Sequence, residues 1–119
     1  MDIIKRKPID WVGDSRDAIR GFPAVAKQRT GRELARVQEG LEPTDSKPMP
    51  SIGLGCREIR VREDGGAFRV IYVAKFSEAI YVIHAFQKKA QKTPKAEIEL
   101  ARKRYRAMLN ERKLRWSKR

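Results

Sequence analysis

"REIRVREDGGAFRVIYVAKFSEAIYVIHAFQ", residues 57 to 87, carries the pattern on which the fold turns. At its start Ile59 and Val61 alternate with Arg60 and Arg62, which predicts a half-buried strand with one apolar and one polar face. "EDGG", residues 63 to 66, predicts a tight turn, because its glycines take positive φ without steric penalty. Residues 67 to 76 and 78 to 87 are apolar on both faces and part at Ser77 and Glu78. They predict the central strands of an antiparallel meander, covered by helices on one side.

Upstream, residues 3 to 6 read as a short strand, and Asp14 or Ser15 can cap a two-turn helix that stops before Pro23. A second helix is predicted from Pro23 to Gly40, with Ala26, Thr30, Leu34, Val37 and Leu41 on one side and Gly31 weakening its middle. The two helices are joined by almost nothing, which predicts a hairpin. Residues 42 to 56, with Pro43, Pro48, Pro50, Gly53 and Gly55, read as a loop. Downstream, Thr93 and Pro94 open a helix predicted to reach about Lys113, with Ile98, Ala101, Tyr105 and Met108 as its apolar stripe. The predicted order is β-α-α-β-β-β-α, an α+β class chain of one domain over residues 1 to 113 with a basic tail from 114 to 119.

Composition narrows the function classes. Cys56 is the one cysteine, so neither an internal disulfide nor a cysteine-based metal site is expected. No run is apolar enough to cross a bilayer, and the start "MDIIKRKPIDW" is charged where a secretory signal would be apolar. A cytoplasmic protein without metal, cofactor or membrane partner is the expectation. The net charge of +13 is unevenly spread: residues 1 to 86 hold 15 basic and 12 acidic side chains, and residues 87 to 119 hold 13 and 3. Such a surface attracts a polyanion, since each cation paired with a phosphate releases condensed counterions.

Strand alternation places Arg60 and Arg62 on one face, and His84, Phe86 and Lys88 on one face, with Arg69 on the strand between. Paired as a meander, these side chains converge on one open sheet surface. The set holds cations, one imidazole and one aromatic, without the paired carboxylates of a glycosidase or a serine triad. RNA carries its own nucleophile in the 2′-OH, so scission needs alignment, proton transfer and stabilisation of the phosphorane's charge. His84 and Tyr105 are the candidates for proton transfer. Against these stand plainer readings: His84 and Phe86 as core residues, Arg60 and Arg62 as solvated, Tyr105 as packing on the helix stripe.

"KPIDWVGDSRDAIRGFP" (7 to 23) together with "GLGCREIRVREDGGAFRVIYVAKFSEAIYVIHAFQKKAQKTPKAEIELARKRY" (53 to 105) resembles the phage-derived branch of the RelE/HigB toxin family, over roughly residues 7 to 109. The resemblance implies the RelE/ParE fold, with two N-terminal helices packed on a curved antiparallel sheet and a C-terminal helix beyond it. It implies a type II toxin–antitoxin toxin that enters the ribosome, cuts messenger RNA there without a cofactor, and is neutralised by a co-encoded antitoxin. In this branch that antitoxin is usually a helix-turn-helix protein, through which alone the toxin meets operator DNA. By position, the family's basic sheet-face residues match Arg60 and Arg69, with Arg62 beside them, and the end of the last strand matches Gln87, Lys88, Lys89 and Lys92. Arg60, Arg69, His84 and Tyr105 are then the expected catalytic set, and Arg62, Gln87, Lys88, Lys89 and Lys92 the expected phosphate contacts. Two other readings fit the same charge: a ParE-like DNA gyrase inhibitor that cuts nothing, and a non-catalytic module that binds nucleic acid or antitoxin.

Overall fold

The chain enters at one edge of a sheet. The structure, a computed structural model, describes residues 6 to 89 and 93 to 117. Its elements are β1 (Ile9–Trp11), α1 (Ser15–Arg20), α2 (Ala24–Gln38), β2 (Ser46–Pro48), β3 (Cys56–Glu63), β4 (Gly66–Val73), β5 (Ile80–Lys88) and α3 (Lys95–Ser117). The five strands form one sheet in the order β1-β5-β4-β3-β2.

The short strand expected at residues 3 to 6 falls almost wholly outside the described residues, and two features correct the expectation of an antiparallel three-strand meander. The edge strand lies at Ile9–Trp11 and runs parallel to β5, pairing Ile9 with Ile80 and Trp11 with Val82, so the sheet is mixed. Three residues are too few to display alternation, and the pairing is fixed from outside. The Ile80 N–H donates to the Pro8 carbonyl, and the buried Ser15 hydroxyl donates to the Val82 carbonyl. The second feature is β2, which lies inside the proline-rich segment read as loop and pairs Lys47 with Glu58 on β3. An edge strand tolerates Pro48 because only one of its sides needs donors.

Both helices of the N-terminal hairpin fall where the sequence placed them. Pro23, however, stands just before the first helical residue of α2, where its carbonyl accepts from the Lys27 N–H at 2.8 Å. Ala26, Thr30, Leu34 and Val37 are buried as expected, whereas Leu41 lies past the helix and is half exposed. Pro94 likewise supplies the carbonyl that starts α3, while Thr93 turns its hydroxyl toward Glu58 at 3.5 Å.

Helices cover both faces of the sheet, not one. Ile59, Val61, Phe68, Val70, Ile80, Val82 and Ala85 pack with Phe22, Ala26, Leu34 and Val37 of the hairpin. Ile71, Val73, Tyr81 and Ile83 face the other way and pack with Ala101, Tyr105 and Met108 of α3. That second cover explains why β4 and β5 are apolar on both faces. Close packing under α3 is tight at Gly53, where a Cβ would lie 2.4 Å from the Tyr105 ring. α3 continues to Ser117, four residues past its predicted end. Arg112 there bonds Glu78 and lies 3.9 Å over the Phe76 ring, and Arg115 reaches the Tyr81 hydroxyl.

Candidate nucleic-acid interface

The register decides which side chains meet. β3 and β4 pair Arg60 with Arg69 and Arg62 with Ala67; β4 and β5 pair Arg69 with Phe86, Ala67 with Lys88 and Ile71 with His84. Directly paired residues point to the same side. Arg60, Arg62, Arg69, Phe86, Lys88 and His84 therefore share the face on which α3 packs, with His84 held against α3 itself and the four cations toward the end it leaves uncovered. The convergence expected from alternation is present in the geometry.

One irregularity makes this work for His84. Ile71 pairs with His84 and Tyr72 with Val82, so Ile83 is an extra residue on β5. This bulge turns both Ile83 and His84 toward α3, and strict alternation below it would have put His84 on the hairpin face.

Arg69 is nearly fully buried, with its Nε 3.4 Å from Glu58 Oε1, and Glu58 is buried beside it. Desolvation lowers the Arg69 pKa, Glu58 opposes that, and Arg60 and Arg62 add to it. A guanidinium stays charged under such pressure. Arg60 lies with its Nε 3.2 Å from Asp45. Lys88 is depressed by desolvation first, then by Arg69, Lys47 and Arg60, with Glu58 opposing. Lys47 thus joins the group, although sequence reasoning left it in a loop; its signal was the alternation of two residues in an edge strand only three long. Five cations, Lys47, Arg60, Arg62, Arg69 and Lys88, gather around two carboxylates, Asp45 and Glu58, which leaves an excess of positive charge beside the half-buried Phe86.

The remaining expected residues fall elsewhere. Gln87 pairs with Phe68 and so points to the opposite face, where it bonds the Gly65 carbonyl over the turn. Gly66, at φ +146°, leaves room for it; a Cβ would lie 2.6 Å from the Gln87 amide. Lys89 is exposed just past the end of β5, and Lys92 lies outside the described residues. Tyr105, on α3, is buried between the helix and the sheet, and its hydroxyl donates to the Leu54 carbonyl at 2.8 Å. It packs in the cluster of Cys56, which stands four residues from Arg60, roughly 13 Å along the strand. Burial raises its pKa, and Cys56 adds to that.

His84 is locked by two partners on α3. Arg104 Nη1 stands 3.0 Å from its Nδ1, and Glu97 Oε2 stands 2.9 Å from its Nε2. A guanidinium can only donate, so Nδ1 accepts, Nε2 carries the proton and donates to Glu97, and the ring is neutral. Burial lowers its pKa, against the pull of Glu97 and with the help of Arg104. Arg104 also bonds Asp14 at 2.6 Å, which holds that carboxyl below its usual value and joins α3 to the start of α1. The ring of Phe86 stacks on His84 at 5.3 Å.

The arrangement can hold a chain of phosphates across β2, β3, β4 and β5, with an aromatic ring among the cations. Among the described residues no three His, Cys, Asp or Glu side chains gather as metal ligands, and no helix is long and apolar enough to cross a membrane. An α+β chain with one basic, partly open sheet face is the class so defined. The chain belongs to the phage-derived Gp49-like protein family (DUF891), whose model matches residues 17 to 106, from within α1 to the middle of α3. No curated protein matches it.

Proposed function

We propose that this chain is the toxin of a toxin–antitoxin pair, of the RelE/HigB kind, that cuts messenger RNA in the ribosome and is held inactive by a co-encoded, helix-turn-helix antitoxin. The observation that carries the reading is the cation cluster in which Arg60 and Arg69 stand opposite each other on adjoining strands, with Lys88 and Phe86 beside them. Membership of a phage-derived family agrees with a mobile gene pair.

In this reading Arg60 holds the scissile phosphate, Arg69 adds its charge from the buried position beside Glu58, and the two stabilise the charge that grows when the 2′-oxygen bonds to phosphorus and the bond to the 5′-oxygen breaks. Lys47, Arg62 and Lys88 hold the flanking backbone, with the exposed Lys89 past the end of β5 continuing the path. The 2′-OH proton must leave and the 5′-oxygen must gain one. Lys88, whose ammonium is made more acidic by desolvation and then by Arg69, suits the second task. A role for His84 in the first requires Arg104 to release Nδ1, and one for Tyr105 requires its hydroxyl to leave Leu54.

Induction of the chain in growing cells, followed by mapping of transcript 5′ ends, tests the reading. Growth arrest with codon-linked ends is the expected result, and it should vanish in Arg60→Ala. Arrest without new ends points instead to an inhibitor of another target such as DNA gyrase, and no arrest at all removes the toxin reading.

A further inference from the structure

The hairpin leaves an apolar cleft on the sheet face opposite the cations. Ile9 and Trp11 of β1, Ile19 of α1 and Leu34 of α2 line it, and it encloses about 240 Å³. That is below the range of about 300 to 1,000 Å³ typical of small-molecule sites. It is the size for one or two side chains of a protein partner. Its lining follows α2 from Lys27 to Gln38, roughly 16 Å of helix, so the cleft is a groove.

Gly31 lies at this groove in the middle of α2. Glycine there weakens a helix by about 1 kcal/mol relative to alanine. A Cβ at Gly31 would meet no atom within 4 Å, so nothing inside the chain requires the glycine. The flanks of the groove carry Arg16, Arg20 and Lys27, all exposed, with Asp17 3.9 Å from Arg20 offsetting part of that charge.

We infer that this groove docks an amphipathic helix with acidic flanks, supplied by the neutralising antitoxin; the inference rests on the toxin reading. Apolar side chains of that helix enter between α1 and α2, its backbone approaches over Gly31, and its carboxylates meet Arg16, Arg20 and Lys27. A partner bound there leaves the cation face uncovered. Neutralisation then works by added bulk, which keeps the chain out of a confined ribosomal site.

The test uses the purified chain and the purified product of the adjoining gene, with affinity measured by titration calorimetry. Gly31→Leu and the pair Arg16→Glu with Lys27→Glu should each weaken binding at least tenfold, while Gly31→Ala and the pair Arg62→Glu with Lys88→Glu should stay within threefold of the unaltered chain. A thermal midpoint of Gly31→Leu at or above that of the unaltered chain verifies its fold; if it falls, the exposed charge reversal decides. Groove variants that bind like the unaltered chain, or a loss confined to the cation-face pair, overturn the inference and leave the toxin reading standing. If the unaltered chain does not bind the product at all, both fail together, and that result is recognisable because every variant is then equally silent.

Discussion

The two ends of the sheet face toward α3 are built from the same strands and face the same way, yet they differ in nearly every physical respect. At one end Ile71, Val73, Tyr81 and Ile83 are sealed under Ala101, Tyr105 and Met108. At the other Lys47, Arg60, Arg62, Arg69 and Lys88 surround a half-buried Phe86. His84 marks the border, tied by Arg104 and Glu97 to the helix that covers one end and stacked on the aromatic ring of the other. The difference teaches that alternation along a strand assigns a side chain to a face, while the neighbouring helix decides whether that face is core or surface.

Tyr105→Ala should break the covered end. It removes a ring packed against Gly53 and is expected to lower stability by about 3 to 5 kcal/mol in urea denaturation. Tyr105→Phe loses the bond to Leu54 alone, about 1 kcal/mol, and should still arrest growth if the phenol takes no part in proton transfer.

At the cationic end the largest effect should come from Arg69→Ala, which strands Glu58 as a buried charge. A loss of about 3 to 5 kcal/mol is expected, with much of it restored by adding Glu58→Gln. Equal instability of the single and double variants would show that the pair is not what matters there. Arg60→Ala and Lys88→Ala, less buried, are the cleaner tests of activity.

His84 sharpens the border through pH. Burial holds its folded pKa below the ordinary imidazole value of about 6.5, so the unfolded chain binds the proton more readily as pH falls past 6.5. Stability should therefore be full above that value and decline as pH drops below it, and His84→Gln should flatten the decline between pH 7.5 and 5.5. A slope unchanged by the substitution would assign the effect to other groups.

Smaller still, Arg62→Ala and Lys88→Ala should each reduce the salt slope of binding to a short single-stranded RNA by about one, with little effect on stability. Lys95→Ala, at an exposed pair 4.0 Å from Glu99, should change stability by less than about 0.5 kcal/mol and binding not at all.

Much of this was legible in the chain. Alternation at Ile59, Arg60, Val61 and Arg62 assigned the two faces of β3, the glycines of "EDGG" made the turn into β4, and Ala101, Tyr105 and Met108 repeat at helical spacing. β1 and β2 were not legible, because a three-residue edge strand is defined by its partner's hydrogen bonds. The candidate site was readable only as a list of basic residues. That Arg69 is buried against Glu58, that Lys47 joins it and that Gln87 points away follow from register.

By itself the sequence determined the α+β class, the helical hairpin, the three long strands and the concentration of positive charge, since each depends on local period and composition. Tertiary structure alone decided which cations meet, because a single bulge at Ile83 and the pairing of distant strands set their side and spacing. It also decided that α3 covers half of one face, through arginines that fasten it to Asp14, Ser51 and Glu78 where composition suggested only a solvated basic surface.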